Sequence, residues 1–118
     1  MRAKGAVFCM GDKTAPETIL CEGYATGLSI FAALRSVGLR ASVLVCFSAH
    51  NLELIAPQLK GRAYVFADHD KSGTGEKSAQ ATGLPYCMSP VMGEDANDLH
   101  ARAGLFAVCQ LLMEVRRR

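Results

Sequence analysis

The chain has 118 residues, half of them hydrophobic, and a formal net charge of +2 with both signs spread along it. That length makes one domain with a packed core, and the small, dispersed charge excludes a protein that grips nucleic acid by charge alone. The basic start Met1-Arg2-Ala3-Lys4 is followed by an apolar stretch, Ala6 to Met10, too short for a signal peptide or a membrane span, so a cytoplasmic protein with no membrane partner is expected.

Lys4 to Met10 reads as a first strand, and Gly11-Asp12-Lys13 with Pro16 as the turn into a second, Ile19-Leu20-Cys21; the two are placed to form a hairpin. The second run ends at Glu22-Gly23, before Tyr24, Leu28, Phe31 and Leu34 at helical spacing. That spacing predicts a helix from Tyr24 to Val37, stopped by Gly38 in a left-handed cap. Ala41 to Phe47 is continuously apolar, as a strand covered on both faces must be. Asn51 or Ser48 caps a helix carrying Leu52, Ile55 and Leu59, which Pro57 kinks or shortens.

Tyr64-Val65-Phe66-Ala67 is the next buried-strand run, and it ends in Asp68-His69-Asp70. The chain then turns through Ser72-Gly73-Thr74-Gly75 into a short helix, Glu76 to Thr82, closed by Gly83. Tyr86-Cys87-Met88-Ser89 is the last strand candidate. A single final helix is predicted from Asn97 or Asp98 to Val115, with Leu99, Ala103, Phe106, Cys109 and Met113 on one face. The terminal Arg116-Arg117-Arg118 reads as complementing the dipole of that helix, as the mark of where a longer protein was cut, or as a phosphate-binding tail. The five cysteines are odd in number, widely spaced and without a C-x-x-C pair, and read as reduced core residues.

Strands alternating with helices call for a parallel sheet with right-handed crossovers and helices on both faces. In such a sheet ligands sit outside the carboxyl ends of the strands, which is where Glu22, Asp68 and Asp70 fall, with Asp95 and Asp98 after the last strand. Side chains alternate along a strand, so Asp68 and Asp70 point the same way and His69 points elsewhere. Carboxylates aimed at one spot repel unless a hard divalent cation such as Mg²⁺ joins them. Gly23 leaves room for a backbone or phosphate to approach, or is an ordinary turn glycine. Asp98 reads equally as a metal ligand and, like Asn97, as a helix N-cap. Lys71 and Lys77 are point charges for phosphate oxygens or solvated surface residues, while His50, His69 and His100 read as structural or surface residues. For Glu22 to meet the two aspartates the first and third core strands must be neighbours, which an order of 2-1-3-4 achieves, the N-terminal strand being an edge or flap.

Glu22-Gly23-Tyr24-Ala25-Thr26-Gly27-Leu28-Ser29, Asp68-His69-Asp70 and Gly93-Glu94-Asp95-Ala96-Asn97-Asp98-Leu99 resemble, in order and spacing, the motifs of Toprim domains, the Rossmann-like catalytic fold of bacterial-type primases, topoisomerases and certain nucleases. The resemblance extends upstream to Lys4-Gly5-Ala6-Val7-Phe8 and is closest to plasmid and phage DNA primases, the TraC-type and primase-helicase proteins. Two positions depart from the wider pattern: Thr26 stands where many bacterial primases carry an aspartate, and Asn97 where others carry an acid.

The resemblance implies a three-layer α/β/α Toprim domain over residues 1–118, a fragment of a larger primase or primase-helicase. It implies Mg²⁺- or Mn²⁺-dependent nucleotidyl transfer that makes RNA primers, with single-stranded DNA template and nucleoside triphosphates as partners, beside other domains of the parent primase and a helicase. Asp68 and Asp70 then hold the metal, Glu22 is general base or further ligand, Asp95 and Asp98 are outer ligands, and Gly23, Lys71 and Lys77 face the phosphates. The competing expectations are a Toprim nuclease using the same acids, and a non-catalytic Toprim module that binds partners. The chain has no zinc-binding module or basic template grip, and no room for the tyrosine-bearing domain of a topoisomerase.

Overall fold

Glu17–Cys21 (β2) and Arg62–Phe66 (β4) lie side by side at the centre of the sheet, with Ile19, Leu20, Val65 and Phe66 all but shut off from solvent. Their unbroken apolar runs are what a strand packed on both faces needs. The structure, a computed structural model, describes residues 7–118; Lys4-Gly5-Ala6 of the predicted first strand and of the upstream motif lie outside them. Ser42–Val45 (β3) pairs parallel with β2 on the other side, and Tyr86–Cys87 (β5) pairs parallel with β4.

Phe8–Gly11 (β1) is the edge strand, antiparallel to β3, and the sheet order is β1-β3-β2-β4-β5. The four parallel strands therefore stand in the predicted order 2-1-3-4. The predicted hairpin is corrected: β1 pairs with β3 and not with β2, its sequence neighbour. Asp12, Thr14 and Arg40 brace the detour: Asp12 accepts from the Thr14 amide and hydroxyl and from Arg40 Nε at 2.8, 2.6 and 2.7 Å. That knot turns the chain across the end of β3, and β2 keeps two parallel neighbours.

Tyr24–Ser36 (α1), Ala96–Ala103 (α4) and Leu105–Arg116 (α5) cover one face of the sheet; Ala49–Ile55 (α2) and Thr74–Thr82 (α3) cover the other. Together they make a three-layer α/β/α sandwich. Ser48 caps α2 by accepting from the Asn51 amide at 3.0 Å, and Pro57 ends the helix in a 3-10 turn, Ala56–Gln58.

Two helical expectations need correction. The spacing of Tyr24, Leu28, Phe31 and Leu34 does not mark the buried face of α1: Tyr24 and Leu28 are exposed, and the face that packs is Thr26, Gly27, Ser29, Ile30, Ala33 and Leu34. The sheet sits too close for large residues there, since a Cβ on Gly27 would come within 2.6 Å of Val45 Cγ2 and 2.7 Å of Met10 Cε. The single last helix is two, broken at Gly104, whose φ of 89° and ψ of 166° no helix accommodates. The break rotates the face, so that Leu99, Val108, Cys109, Leu112 and Val115 are buried, while Phe106, expected on one face with Leu99 and Cys109, is 72% exposed.

Arg116 is tied by Nε and Nη2 to both carboxylate oxygens of Glu17 at 2.7 and 2.6 Å, and Arg118 donates to the Tyr86 carbonyl. The terminal arginines thus clamp α5 to the amino ends of the strands, beyond the helix-dipole role read from the sequence.

Candidate functional site

β2 runs straight into the site. Cys46 N–H donates to the Cys21 carbonyl and Phe47 N–H to the Glu22 carbonyl, at 2.9 and 2.8 Å, so pairing with the chain after β3 holds Glu22 at the carboxyl edge. Gly23 caps α1, and a Cβ there would meet nothing within 4 Å, which leaves open space beside Glu22.

β4 ends one strand away at Phe66, two residues before Asp68. Ala67 N–H donates to the Cys87 carbonyl at 2.8 Å, which extends the ladder with β5 to the brink of the site. Beyond it His69 takes over the pairing, its amide donating to the Glu94 carbonyl at 3.2 Å and its carbonyl accepting from Gly93 N–H at 2.5 Å. Its Nδ1 lies 2.8 Å from the Ser89 carbonyl. His69 is therefore the strut that docks the loop before α4 against the end of β4, a structural role, though with the strand ended at Phe66 the expected alternation does not hold and His69 lines the same crevice as the two aspartates. From the other side Gly75, in the first turn of α3, packs onto Asp68; a Cβ there would collide with the Asp68 carbonyl.

These contacts gather the acids. A crevice of about 170 Å³ is lined by Asp68, His69, Asp70, Gly93, Glu94, Asp95 and Asp98. Glu22 stands beside it and does not line it, yet its charge is felt. Burial first, then Glu22, Asp95, Asp70 and Asp98, push the Asp68 carboxyl up to about 6. Burial and then Asp70 raise Glu22 above the ordinary glutamate range. Removal from water and like charge both disfavour the ionised form.

Asp95 and Asp98 are already occupied in part. Asp95 Oδ1 accepts from the Asp98 amide at 2.8 Å and Asp98 Oδ2 from the Asp95 amide at 3.1 Å, a reciprocal capping box that starts α4. The N-cap predicted at Asn97 or Asp98 is corrected to Asp95. Asn97 turns away from the crevice, its Oδ1 3.5 Å from Ser29 Oγ, and Thr26 is buried in the α1 interface. Lys71 and Lys77 are exposed, in the turn after Asp70 and on α3.

Asp68 Oδ1 is buried without a hydrogen-bond partner, an expensive state for a carboxylate and one that a cation would relieve. Among the described residues no three His, Cys, Asp or Glu side chains are gathered tightly enough to hold one ion. Glu22, Asp68, Asp70, Asp95 and Asp98 do not form the closed five-ligand cage that a simple sum of the candidates implies. The donor set fits Mg²⁺ in its usual protein form, one or two carboxylates with water and substrate oxygens completing the shell.

Glu94 lines the crevice and was not singled out from the sequence. It accepts from the Ser89 hydroxyl at 2.6 Å and pairs with Arg102 at 2.5 Å, which hold its carboxyl below the usual range. Its partner lies on the next helix, so no local pattern announces it. Burial, and for Cys46 also Glu22, pushes Cys46 up to about 11 and Cys87 up to about 12, which disfavours the thiolate at both.

No curated protein matches the chain. Among solved structures it is similar to "split gene transketolase, inactive beta4 tetramer", at a TM-score of 0.60 and 19% identity, over 94% of this chain and 41% of that one. At that identity the similarity is one of fold alone, and this chain spans well under half the transketolase chain. Among the described residues no helix is long and apolar enough to cross a membrane. The family model of the Toprim domain matches residues 17–105, from the first residue of β2 through all of α4. Toprim domains generally bind Mg²⁺ through acidic residues and serve metal-dependent nucleic-acid enzymes: primases, nucleases and topoisomerases. A match that takes in Glu22, the Asp68–Asp70 pair and the Asp95–Asp98 box carries the conclusion that the chain belongs to the Toprim domain family.

Proposed function

We propose that this Toprim domain is the catalytic module of a mobile-element DNA primase or primase-helicase, whose other domains hold the template. The observation that carries the reading is Asp68: its buried, unpartnered oxygen faces the charges of Glu22, Asp70, Asp95 and Asp98, the electrostatic signature of a site that awaits a cation. The choice of primase over nuclease rests on the resemblance of the three acidic motifs to those of plasmid and phage primases.

In the reaction a ribose 3′-hydroxyl attacks the α-phosphorus of a nucleoside triphosphate, the bond to the bridging oxygen breaks, and pyrophosphate leaves. Mg²⁺, when bound, supplies Lewis-acid neutralisation and orientation of the phosphate oxygens. Asp68 and Asp70 would hold it, and the Asp95–Asp98 box would bear on its outer waters. Glu22, its pKa raised, takes the proton of the attacking hydroxyl more readily than an ordinary glutamate. The open space at Gly23 admits the phosphates, and Lys71 and Lys77 meet them as point charges.

Binding of a nucleoside triphosphate in the presence of Mn²⁺, on the wild type and on Asp70→Asn, tests the reading together with an assay for cleavage of single-stranded DNA. The primase reading expects metal-dependent triphosphate binding that Asp70→Asn abolishes, and no cleavage. Cleavage without triphosphate binding would replace it with the nuclease reading.

A further inference from the structure

Four large aromatic side chains are exposed among the described residues: Phe8, Tyr24, Phe47 and Phe106. Phe106 lies on α5, away from the acids. The other three share the edge of the sheet that carries the acids. Phe8 is opposite Val45 at the end of β1, so it sits level with the carboxyl end of β3. Phe47 stands two residues past the end of β3, and Tyr24 begins α1 two residues after Glu22. The Phe8 and Tyr24 rings are in contact, with centroids 5.7 Å apart and planes tilted by 57°. The strand order puts Glu22 between this group and Asp68–Asp70.

Phe47 stands out among them. It is 56% exposed, so its ring adds little to the core, yet it holds φ at 70°, the only non-glycine among the described residues at positive φ. A bulky L residue adopts that conformation at a cost that a glycine would avoid. Its amide is meanwhile pinned to the Glu22 carbonyl, so the direction of the ring is coupled to the position of the acid. Backbone strain of this kind collects where a side chain is held for a ligand.

We propose that Phe8, Tyr24 and Phe47 form a stacking platform that seats the bases of single-stranded nucleic acid and lays its backbone across Glu22 toward Asp68 and Asp70. The inference rests on reading the acids as a nucleic-acid site, and adds how a domain with a net charge of only +2 holds a strand. Aromatic rings accept any base by its π-face and need no positive charge. Continuity with the acid crevice favours the strand over a protein partner as the occupant.

The experiment is equilibrium binding, at low salt with Mg²⁺, of a short single-stranded oligothymidylate and of the same strand with abasic sites in place of its central bases. The proteins are the 118-residue chain, Phe47→Leu, the double variant Tyr24→Leu/Phe47→Leu, and Phe47→Trp. The platform expects the double variant to weaken the base-bearing strand about tenfold or more, to leave the abasic strand unchanged, and Phe47→Trp to retain binding. Equal loss on both strands, or no loss on the base-bearing one, overturns it. Oligonucleotide binding that ignores the substitutions, with self-association in sedimentation that Phe47→Leu abolishes, makes the patch a protein contact and overturns it too. Binding of neither strand by a chain that still takes up Mn²⁺ and triphosphate defeats the platform alone. Failure of the acid reading is instead a wild-type chain without Mn²⁺-dependent triphosphate binding.

Discussion

Asp68 and Glu17 titrate in opposite senses, and the pH dependence of stability separates them. The folded-state pKa of Asp68 is raised to about 6, so its ionised form is disfavoured in the fold, and the chain gains stability from this group as pH falls through 6 toward the unfolded value. Asp68→Asn removes that liability. Near neutral pH it should stabilise the metal-free domain by about 1 kcal/mol, after solvent screening of a partly exposed group is allowed for, with the gain vanishing below the unfolded pKa. Denaturant unfolding of both proteins across pH reads this directly; a destabilised Asp68→Asn would make the aspartate a structural residue. Glu17 behaves conversely. Its hydrogen bonds to Arg116 lower its pKa, so its contribution is complete above the unfolded value and is lost as pH falls through the folded one. Phe47 has its own signature. Phe47→Asn relieves the left-handed conformation and is expected to raise stability by about 1 kcal/mol, the outcome for a residue whose ring serves something other than folding.

At the scale of elements, α3 is a positioning device as much as a cover for the sheet. Alanine is the better helix former by about 1 kcal/mol, so Gly75→Ala looks favourable from the sequence. The Asp68 carbonyl is backbone and cannot yield to the added methyl, so we expect a net loss of about 2 kcal/mol together with weaker Mn²⁺ binding. Unfolding and metal titration of the one variant check both parts. The same contrast between local pattern and close approach shows which elements the sequence made legible. Continuously apolar runs such as Val43-Leu44-Val45 and Val65-Phe66 marked buried strands, and the caps at Gly38 and Gly83, with φ of 70° and 74°, marked helix ends. The buried face of α1 showed only at Leu34, because apart from Ile30 the rest of it is Thr26, Gly27, Ser29 and Ala33, which carry little hydrophobic signal. The break at Gly104 was hidden by the apolar residues on both sides of it. The pairing of β1 with β3 is a long-range choice that nothing in Lys4 to Met10 encodes. The edge at which Glu22, Asp68 and Asp70 collect was legible, since parallel strands expose only their carboxyl ends to a crossover crevice. The capping box that engages Asp95 and Asp98, the Glu94–Arg102 pair and the exposed rings were not, as each depends on how two elements meet.

Over the whole molecule positive and negative charges nearly balance and are dispersed, with a formal net charge of only +2, and this sets what the domain does alone. Affinity for nucleic acid comes largely from Lys and Arg contacts to phosphates. At physiological salt the isolated chain should therefore bind single-stranded DNA weakly and make no primers, and ribonucleotide incorporation on a single-stranded template checks this. Robust synthesis would mean that the chain contains its own template grip. The central claim is that the ends of β2 and β4 converge to hold a divalent cation. Calorimetric titration of Mn²⁺ into the wild type and into Asp70→Asn near neutral pH tests it most directly. The site predicts weak, saturable binding by the wild type that fades as pH falls through about 6, where Asp68 takes up its proton, and little binding by Asp70→Asn. Equal Mn²⁺ binding by the two proteins would contradict it.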